Sequence, residues 1–69
     1  MTKTIHINGI MCAHCEMRVK KALEALPFIS EAQVSHENGT AVVQADDAFS
    51  AAGVQQAVKD AGYEFVSID

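Results

Sequence analysis

Hydrophobic and polar residues alternate strictly near the start of the chain. Within residues 3–8, Ile5 and Ile7 fall on one side and polar residues on the other, which predicts a strand with one buried face. The apolar positions then recur with helical spacing, at Cys15, Val19, Ala22, Leu23 and Leu26. Pro27 disfavours helical backbone in the residue before it, so this predicted first helix, which begins at Cys15, ends near Leu26.

A second strand and a hairpin follow the first helix. We predict the strand over residues 28–36, on the apolar positions Ile29, Ala32 and Val34. The gap between the first two of these positions suggests a bulge or a later start of the strand. The dipeptide Asn38-Gly39 tolerates positive φ at both centres of a tight turn. Residues 40–45 alternate again, with Ala41, Val43 and Ala45 on one face, so the two strands are expected to form a hairpin.

The remaining residues predict one more helix and one more strand. Three suitable helix-capping residues precede a second helical stripe; they are Asp46, Asp47 and Ser50, and the stripe is Ala51, Val54, Ala57, Val58 and Ala61. Gly62 is placed to close this helix, and residues 63–68 supply the last strand. The order β-α-β-β-α-β predicts an α+β, ferredoxin-like sandwich, in which two helices cover one face of a four-stranded antiparallel sheet.

Length, composition and charge narrow the range of functions. A chain of 69 residues makes one small domain, expected over residues 1–69, whose core is too thin to enclose a deep substrate pocket. We therefore expect a function at the surface and no enzymatic activity. The formal net charge of −4 argues against nucleic-acid binding. The chain has neither a secretory signal nor an apolar run of the ~20 residues that a membrane span needs, so we expect a cytoplasmic protein without membrane insertion.

The two cysteines of the chain, Cys12 and Cys15, lie where the first strand passes to the first helix. The positive end of the helix dipole is expected to lower the pKa of both thiols. Two soft thiolates suit an ion that accepts low coordination, above all Cu(I), whereas structural Zn(II) normally takes four protein ligands. His14 lies between the cysteines and is expected to project away from them, while His6 and His36 have no metal-ligand spacing to either. A thiolate pair that is short of ligands suits a carrier, because a partner's thiolate can take the ion.

The same spacing of cysteines also occurs in thiol-disulfide oxidoreductases, which present a dithiol at the start of a helix. By analogy, the thioredoxin-like fold needs a longer chain and a later proline that faces the dithiol. The single proline here is Pro27, at the predicted end of a helix, and the order of elements fits that fold poorly. Metal carriage is the favoured interpretation, and redox catalysis is the alternative from a different class of function.

Several segments of the chain together form a recognisable pattern. They are Gly9-Ile10-Met11-Cys12-Ala13-His14-Cys15, then Val19 and Ala22-Leu23, and then Asp60-Ala61-Gly62-Tyr63. With these segments the chain resembles the heavy-metal-associated domain family. Within the family, the chain is most similar to the stand-alone bacterial copper chaperones and to the N-terminal metal-binding repeats of copper-transporting P-type ATPases. It departs from the family at two positions. The family usually has Met after the glycine and a small hydroxyl residue before the first cysteine, whereas this chain has Ile10 and Met11.

This resemblance implies a set of roles for residues around the cysteines. Cys12 and Cys15 would bind Cu(I), with Cys12 the more exposed and Cys15 nearer the edge of the core. Tyr63 would begin the last strand beside the metal loop, where its ring both packs and shields the site from water. We expect Met11 and His14 to be solvated side chains, with assistance to the metal site as the alternative role. Ile10 is expected to fill an apolar slot beneath the loop.

The resemblance also implies partners for a Cu(I) carrier. These are a copper-transporting P-type ATPase and a copper-responsive transcriptional regulator, to which copper would pass by thiolate exchange. Two molecules that share copper through four thiolates would form a copper-bridged homodimer. Two alternatives stay open within the same class, namely a carrier of mercury, zinc or cadmium and a metal-binding repeat excised from an ATPase. Met1 and the complete fold favour the free-standing protein.

Overall fold

Six elements in the predicted order form the computed structural model, which describes residues 1–69. They are β1 (Thr2–Asn8), α1 (Ala13–Glu24), β2 (Ile29–Ser35), β3 (Thr40–Ala45), α2 (Ala51–Asp60) and β4 (Glu64–Ile68). All strand pairs are antiparallel, and the order of the strands across the sheet is β2-β3-β1-β4. The β-α-β-β-α-β, ferredoxin-like fold that the sequence predicts is therefore confirmed.

The core consists of apolar side chains from the sheet and from one stripe of each helix. Its fully buried members include Ile5, Ala41 and Val43 of the strands and Val19, Leu23, Val54 and Val58 of the helices. No polar or charged residue is buried. Complete burial of one large aliphatic side chain is worth roughly 1.5–3 kcal/mol, so these few residues carry most of the stability of a small fold.

Both ends of α1 lie two residues earlier than the sequence predicts. The helix begins at Ala13 because Cys12, in extended backbone, already serves as its N-cap residue. At the other end, the N–H of Leu26 donates to the Leu23 carbonyl at 3.0 Å, and this tighter turn closes the helix before Pro27. Phe28, which was expected to open the second strand, lies instead in the turn before β2. Its ring packs edge-on against Phe49, with 5.6 Å between the ring centroids.

The hairpin of β2 and β3 is confirmed, but its predicted turn type is wrong. The pairing register of β2 with β3 shifts between Ile29 and Glu31, which is the bulge that the apolar spacing suggested. Ser35 pairs with Thr40, so a four-residue loop, residues 36–39, connects the strands. Only Gly39 in this loop has a positive φ, of 65°. Asn38 therefore does not adopt the conformation that a two-residue type I′ turn requires.

Capping interactions fix both ends of α2. Of the three candidate caps, Ser50 is the N-cap, and its hydroxyl accepts the N–H of Gly53 at 3.2 Å. At the C-terminal end, Gly62 has a φ of 93°, and its N–H donates to the carbonyl of Lys59 at 3.0 Å. The next N–H, that of Tyr63, donates to the carbonyl of Val58 at 3.1 Å. This pair of bonds is a Schellman motif, which fixes Tyr63 just before β4 begins. Neither helix has the length and apolar character needed to cross a membrane.

Candidate metal centre

The thiols of Cys12 and Cys15 meet at the start of α1, with 3.8 Å between the two sulfur atoms. Both are free thiols. Cys12 is exposed and its side chain makes no capping hydrogen bond, whereas Cys15, in the first helical turn, is half-buried and packs against the core. Metal–sulfur bonds are about 2.3 Å long in zinc thiolates, so one ion of similar size could bridge sulfurs at this separation.

Residues 9–15, a short loop and the first helical turn, carry the two cysteines; we call this segment the thiol loop. Gly9 turns the chain away from β1 with a φ of 101°, a conformation that glycine adopts without strain. Ile10 is buried in the core, as expected, and holds the loop from beneath, while Met11 projects into solvent with 81% of its surface exposed. The first hydrogen bond of the helix, from the N–H of Glu16 to the carbonyl of Cys12 at 3.1 Å, closes the loop.

Tyr63 lies beside this loop and changes the acidity of Cys15. Its ring is close to Gly9, because a Cβ on that glycine would be 3.6 Å from Cδ1 of the ring. Hydrogen bonding from the Tyr63 side chain is the largest cause that lowers the pKa of Cys15 from 9.0 to about 7. A backbone hydrogen bond from Met11 and contacts with Cys12 lower it further, and partial burial opposes them. A much larger share of Cys15 is therefore thiolate near neutral pH than for an ordinary cysteine.

The phenol of Tyr63 responds in the opposite sense. Its pKa is raised, first by the hydrogen bond to Cys15, then by partial burial and by the negative charge of the Cys15 thiolate. The nearby positive charge of Arg18 acts against these effects and lowers the pKa of the phenol. Since the phenol keeps its proton over the range in which Cys15 ionises, it remains available as a hydrogen-bond donor to the sulfur.

The three histidines do not gather around the thiols. Nowhere in the structure do three or more His, Cys, Asp or Glu side chains form a group that could hold a metal ion, so His14 does not join the cysteines as a third donor. His14 is exposed. His6 pairs with Asp69, and His36 pairs with Glu16, each with 2.6 Å between the ring nitrogen and the carboxylate oxygen. The structure therefore brings two sulfurs together with no third donor of these kinds.

Two neighbours of the site were missed by reasoning from the sequence. The sequence offered no reason to place Arg18 or Glu16 beside the cysteines or their neighbours. The structure places Arg18 against Tyr63 and Glu16 against His36. Both contacts join residues at least twenty positions apart, and no local pattern in the sequence signals them.

The sulfurs lie on an open surface and not in a cavity. The largest groove of the structure, about 730 Å³, runs between α1 and α2, and neither cysteine lines it. The groove between α1 and β2 includes Ala13 and Glu16 but neither cysteine. A large partner can therefore approach the exposed Cys12 without entering a cavity.

Comparison with known proteins assigns the family. The chain belongs to the heavy-metal-associated domain family, whose model matches residues 4–64. One relative is the copper chaperone CopZ of Staphylococcus aureus (strain bovine RF122 / ET3-1). It is 35% identical over 63 residues, which are 90% of this chain and 93% of the relative. The resemblance that the sequence motifs indicated is therefore confirmed.

Solved structures of the family superpose closely on this one. A CopZ metallochaperone has a TM-score of 0.90 at 31% identity, over 96% of this chain and 100% of that structure. A copper binding domain from HMA7, a P-type ATPase, has a TM-score of 0.86 at 25% identity, over 100% of this chain and 99% of the other. The fold of this chain is thus shared by a metallochaperone and by a domain of a P-type ATPase.

Proposed function

We propose that this chain is a copper chaperone in which Cys12 and Cys15 hold one Cu(I) ion and pass it to a partner. The observation that carries the proposal is the pair of free sulfurs 3.8 Å apart at an exposed helix start, one of them with a pKa lowered to about 7. Its relatives support the assignment, since the copper chaperone CopZ is similar over nearly the whole of both chains.

The number and kind of donors favour Cu(I) over Zn(II). Cu(I) is a soft ion that accepts two thiolates, whereas a structural zinc site normally has four protein ligands. This structure brings together two sulfurs and no third His, Cys, Asp or Glu. A complex of one Cu⁺ with two thiolates has a formal charge of −1, and the Arg18 side chain near Tyr63 is a nearby cation that offsets it. A carrier of mercury, zinc or cadmium is the alternative within the same class.

Transfer would proceed by exchange of thiolate ligands without any change in oxidation state. A thiolate of the partner binds Cu(I) on the open side of the site, and the bond to exposed Cys12 then breaks. A second partner thiolate displaces Cys15. Each leaving sulfur takes up a proton or remains a thiolate, and for Cys15 both forms are present near neutral pH because its pKa is about 7. Between the release of one ion and the loading of the next, the hydroxyl of Tyr63 stabilises the free Cys15 thiolate.

The partner we propose is a copper-transporting P-type ATPase, whose own heavy-metal-associated domains would accept the ion. The similarity to the copper binding domain from HMA7 supports this choice, because two domains of the same fold can present like thiol pairs to one another. A copper-responsive regulator and a copper-bridged homodimer are further proposed partners. Cytoplasmic location and the absence of enzymatic activity belong to the same proposal. A repeat excised from an ATPase is the remaining alternative.

A transfer assay tests this function. The reduced chain is loaded with one equivalent of Cu(I) without oxygen and mixed with an apo domain from a copper-transporting P-type ATPase, and native mass spectrometry follows the metal. We expect copper to partition between the two proteins, and Cys12→Ser or Cys15→Ser to abolish loading. Ala13→Ser is the matched control, because it adds a hydroxyl between the cysteines and keeps both sulfurs. If the chain instead catalyses the reduction of a disulfide substrate and does not load copper, the chaperone proposal is wrong and the function is that of an oxidoreductase.

A further inference from the structure

We propose that the β2–β3 loop, residues 36–39, is a brace that bonds to both flanks of the thiol loop, with Glu16 as the positioning residue. The brace would set the separation of the two sulfurs and so the rate at which they release a soft metal ion. Its role in metal release rests on the proposed function, whereas the brace itself is defined by hydrogen bonds present in the metal-free protein.

On the helix side, one carboxylate oxygen joins the brace to the residue that follows Cys15. Oε2 of Glu16 accepts the backbone N–H of His36 at 2.7 Å and also lies 2.6 Å from Nδ1 of the same residue. The side chains are partly shielded, with 27% of Glu16 and 37% of His36 exposed. The N–H of Glu16 donates in turn to Cys12, so this residue links the brace to the backbone of the first cysteine.

On the strand side, the same loop bonds to the last part of β1. The carbonyl of Gly39 accepts the N–H of buried Ile7 at 2.8 Å, two residues before the thiol loop begins. The approach is close, since a Cβ on Gly39 would be 3.1 Å from the carbonyl oxygen of Ile7. One four-residue loop therefore contacts the chain immediately before and immediately after the cysteine segment.

This arrangement opposes fraying of the first helical turn. The first turn of a helix lacks hydrogen-bond acceptors for its N–H groups, and the N-cap residue Cys12 supplies none from its side chain. Without the bonds of Glu16 to His36, the turn that carries Cys15 would lose its polar attachment to the hairpin. The sulfurs would then sample a wider range of separations than the observed 3.8 Å, and the ion would leave more readily.

The same helix contains a matched control. Oε2 of Glu24 accepts the backbone N–H of Ala32, in β2, at 3.1 Å. Glu24 is thus the same residue type, on the same helix, and likewise accepts a backbone N–H, but it lies near the far end of α1 from the thiols. If these carboxylate bonds only stabilised the fold, replacing either glutamate would have the same effect on metal release.

The test compares Glu16→Ala with Glu24→Ala in two measurements. The first is amide hydrogen exchange of residue 16 in the reduced, metal-free protein, and the second is the rate of Cu(I) transfer to an excess of a chromophoric chelator. Loss of charge-assisted hydrogen bonds should raise both rates about tenfold in Glu16→Ala. We expect both rates in Glu24→Ala to stay within about twofold of the parent, because the hydrogen bond that this variant loses lies far from the thiols.

A second pair of variants, at His36, distinguishes the effect of the hydrogen bonds from the effect of the charge of Glu16. His36→Ala removes the ring donor and keeps the carboxylate, and it should also raise both rates, by less than Glu16→Ala because the backbone bond of residue 36 remains. His36→Asn supplies an amide N–H near the position of Nδ1 and should restore the parental rates. The proposal is overturned by equal effects of the two glutamate variants, by no effect of Glu16→Ala, or by faster exchange without faster transfer. Failure of the parent chain to bind Cu(I) would instead contradict the proposed function, and the exchange data alone would still decide whether the brace exists.

Discussion

Tyr63→Phe removes one hydroxyl from beside the Cys15 sulfur and keeps the aromatic ring that packs against the core. Because hydrogen bonding from Tyr63 is the largest cause of the lowered pKa of Cys15, that pKa should rise from about 7 towards its ordinary value of 9.0. At pH 7, about half of the residue is thiolate at a pKa of 7, but only about 1% is thiolate at a pKa of 9. The variant should fall between these limits, and its Cys15 should react more slowly with an alkylating reagent.

The assay is an NMR titration of the Cys15 ¹³Cβ shift in the reduced protein, which reports this thiol separately from Cys12. A parallel measurement of iodoacetamide reaction rates against pH gives the kinetic consequence, because the thiolate is the nucleophile. Thr2→Val serves as the control, since it removes a hydroxyl that bonds to Gln44 on the sheet and leaves the thiols untouched. A Cys15 pKa that stays near 7 in Tyr63→Phe, or that rises equally in the control, would refute the assigned cause.

Three other substitutions, one of them with its own control, probe the fold that carries the site. Leu23→Ala should lower the free energy of unfolding by about 2–5 kcal/mol in a urea titration, since its side chain is fully buried, while exposed Met17→Ala should change it by less than about 0.5 kcal/mol. Gly62→Ala should cost about 1–2 kcal/mol in the same assay through its positive φ alone, because no atom lies within 4 Å of the added Cβ. The pKa of Glu16 is lowered from 4.5, mainly by the His36 N–H and imidazole. The stability lost in Glu16→Gln should therefore be fully evident above pH 4.5 and should shrink as the pH falls through the lower folded pKa, in urea titrations at several pH values.

The elements of this fold were predictable because the signals that define them are local. Period-two alternation located β1 and β3, the helical stripes located α1 and α2, and Gly62 marked the end of α2. The start of α1 was missed because Cys12 is not among the residues that usually cap helices through their side chains. The hairpin turn was misjudged because Asn38-Gly39 is compatible with several loop lengths, and the pairing of Ser35 with Thr40 decides among them.

The candidate site likewise has parts that local sequence signals predict and parts that only the fold brings together. The spacing of Cys12 and Cys15 is a local signal, and the structure brings the two sulfurs together. The position of Tyr63 beside them was expected only from the resemblance to the family, since 48 residues separate it from Cys15 in the chain. The contact of Glu16 with His36 had no signal at all, because each residue alone looks like an ordinary solvated side chain. Assignment of the metal ligands remains a prediction.

The most direct test of the central claim is a competition titration of the reduced chain with Cu(I) and a chromophoric chelator, in the absence of oxygen. We predict that the parent chain takes up one equivalent of Cu(I) and competes far better for this ion than for Zn(II), and that the Cys12→Ser, Cys15→Ser double variant takes up none. Uptake that survives in the double variant, or a parent chain that takes up no Cu(I), would contradict the claim that these two thiolates are the copper site.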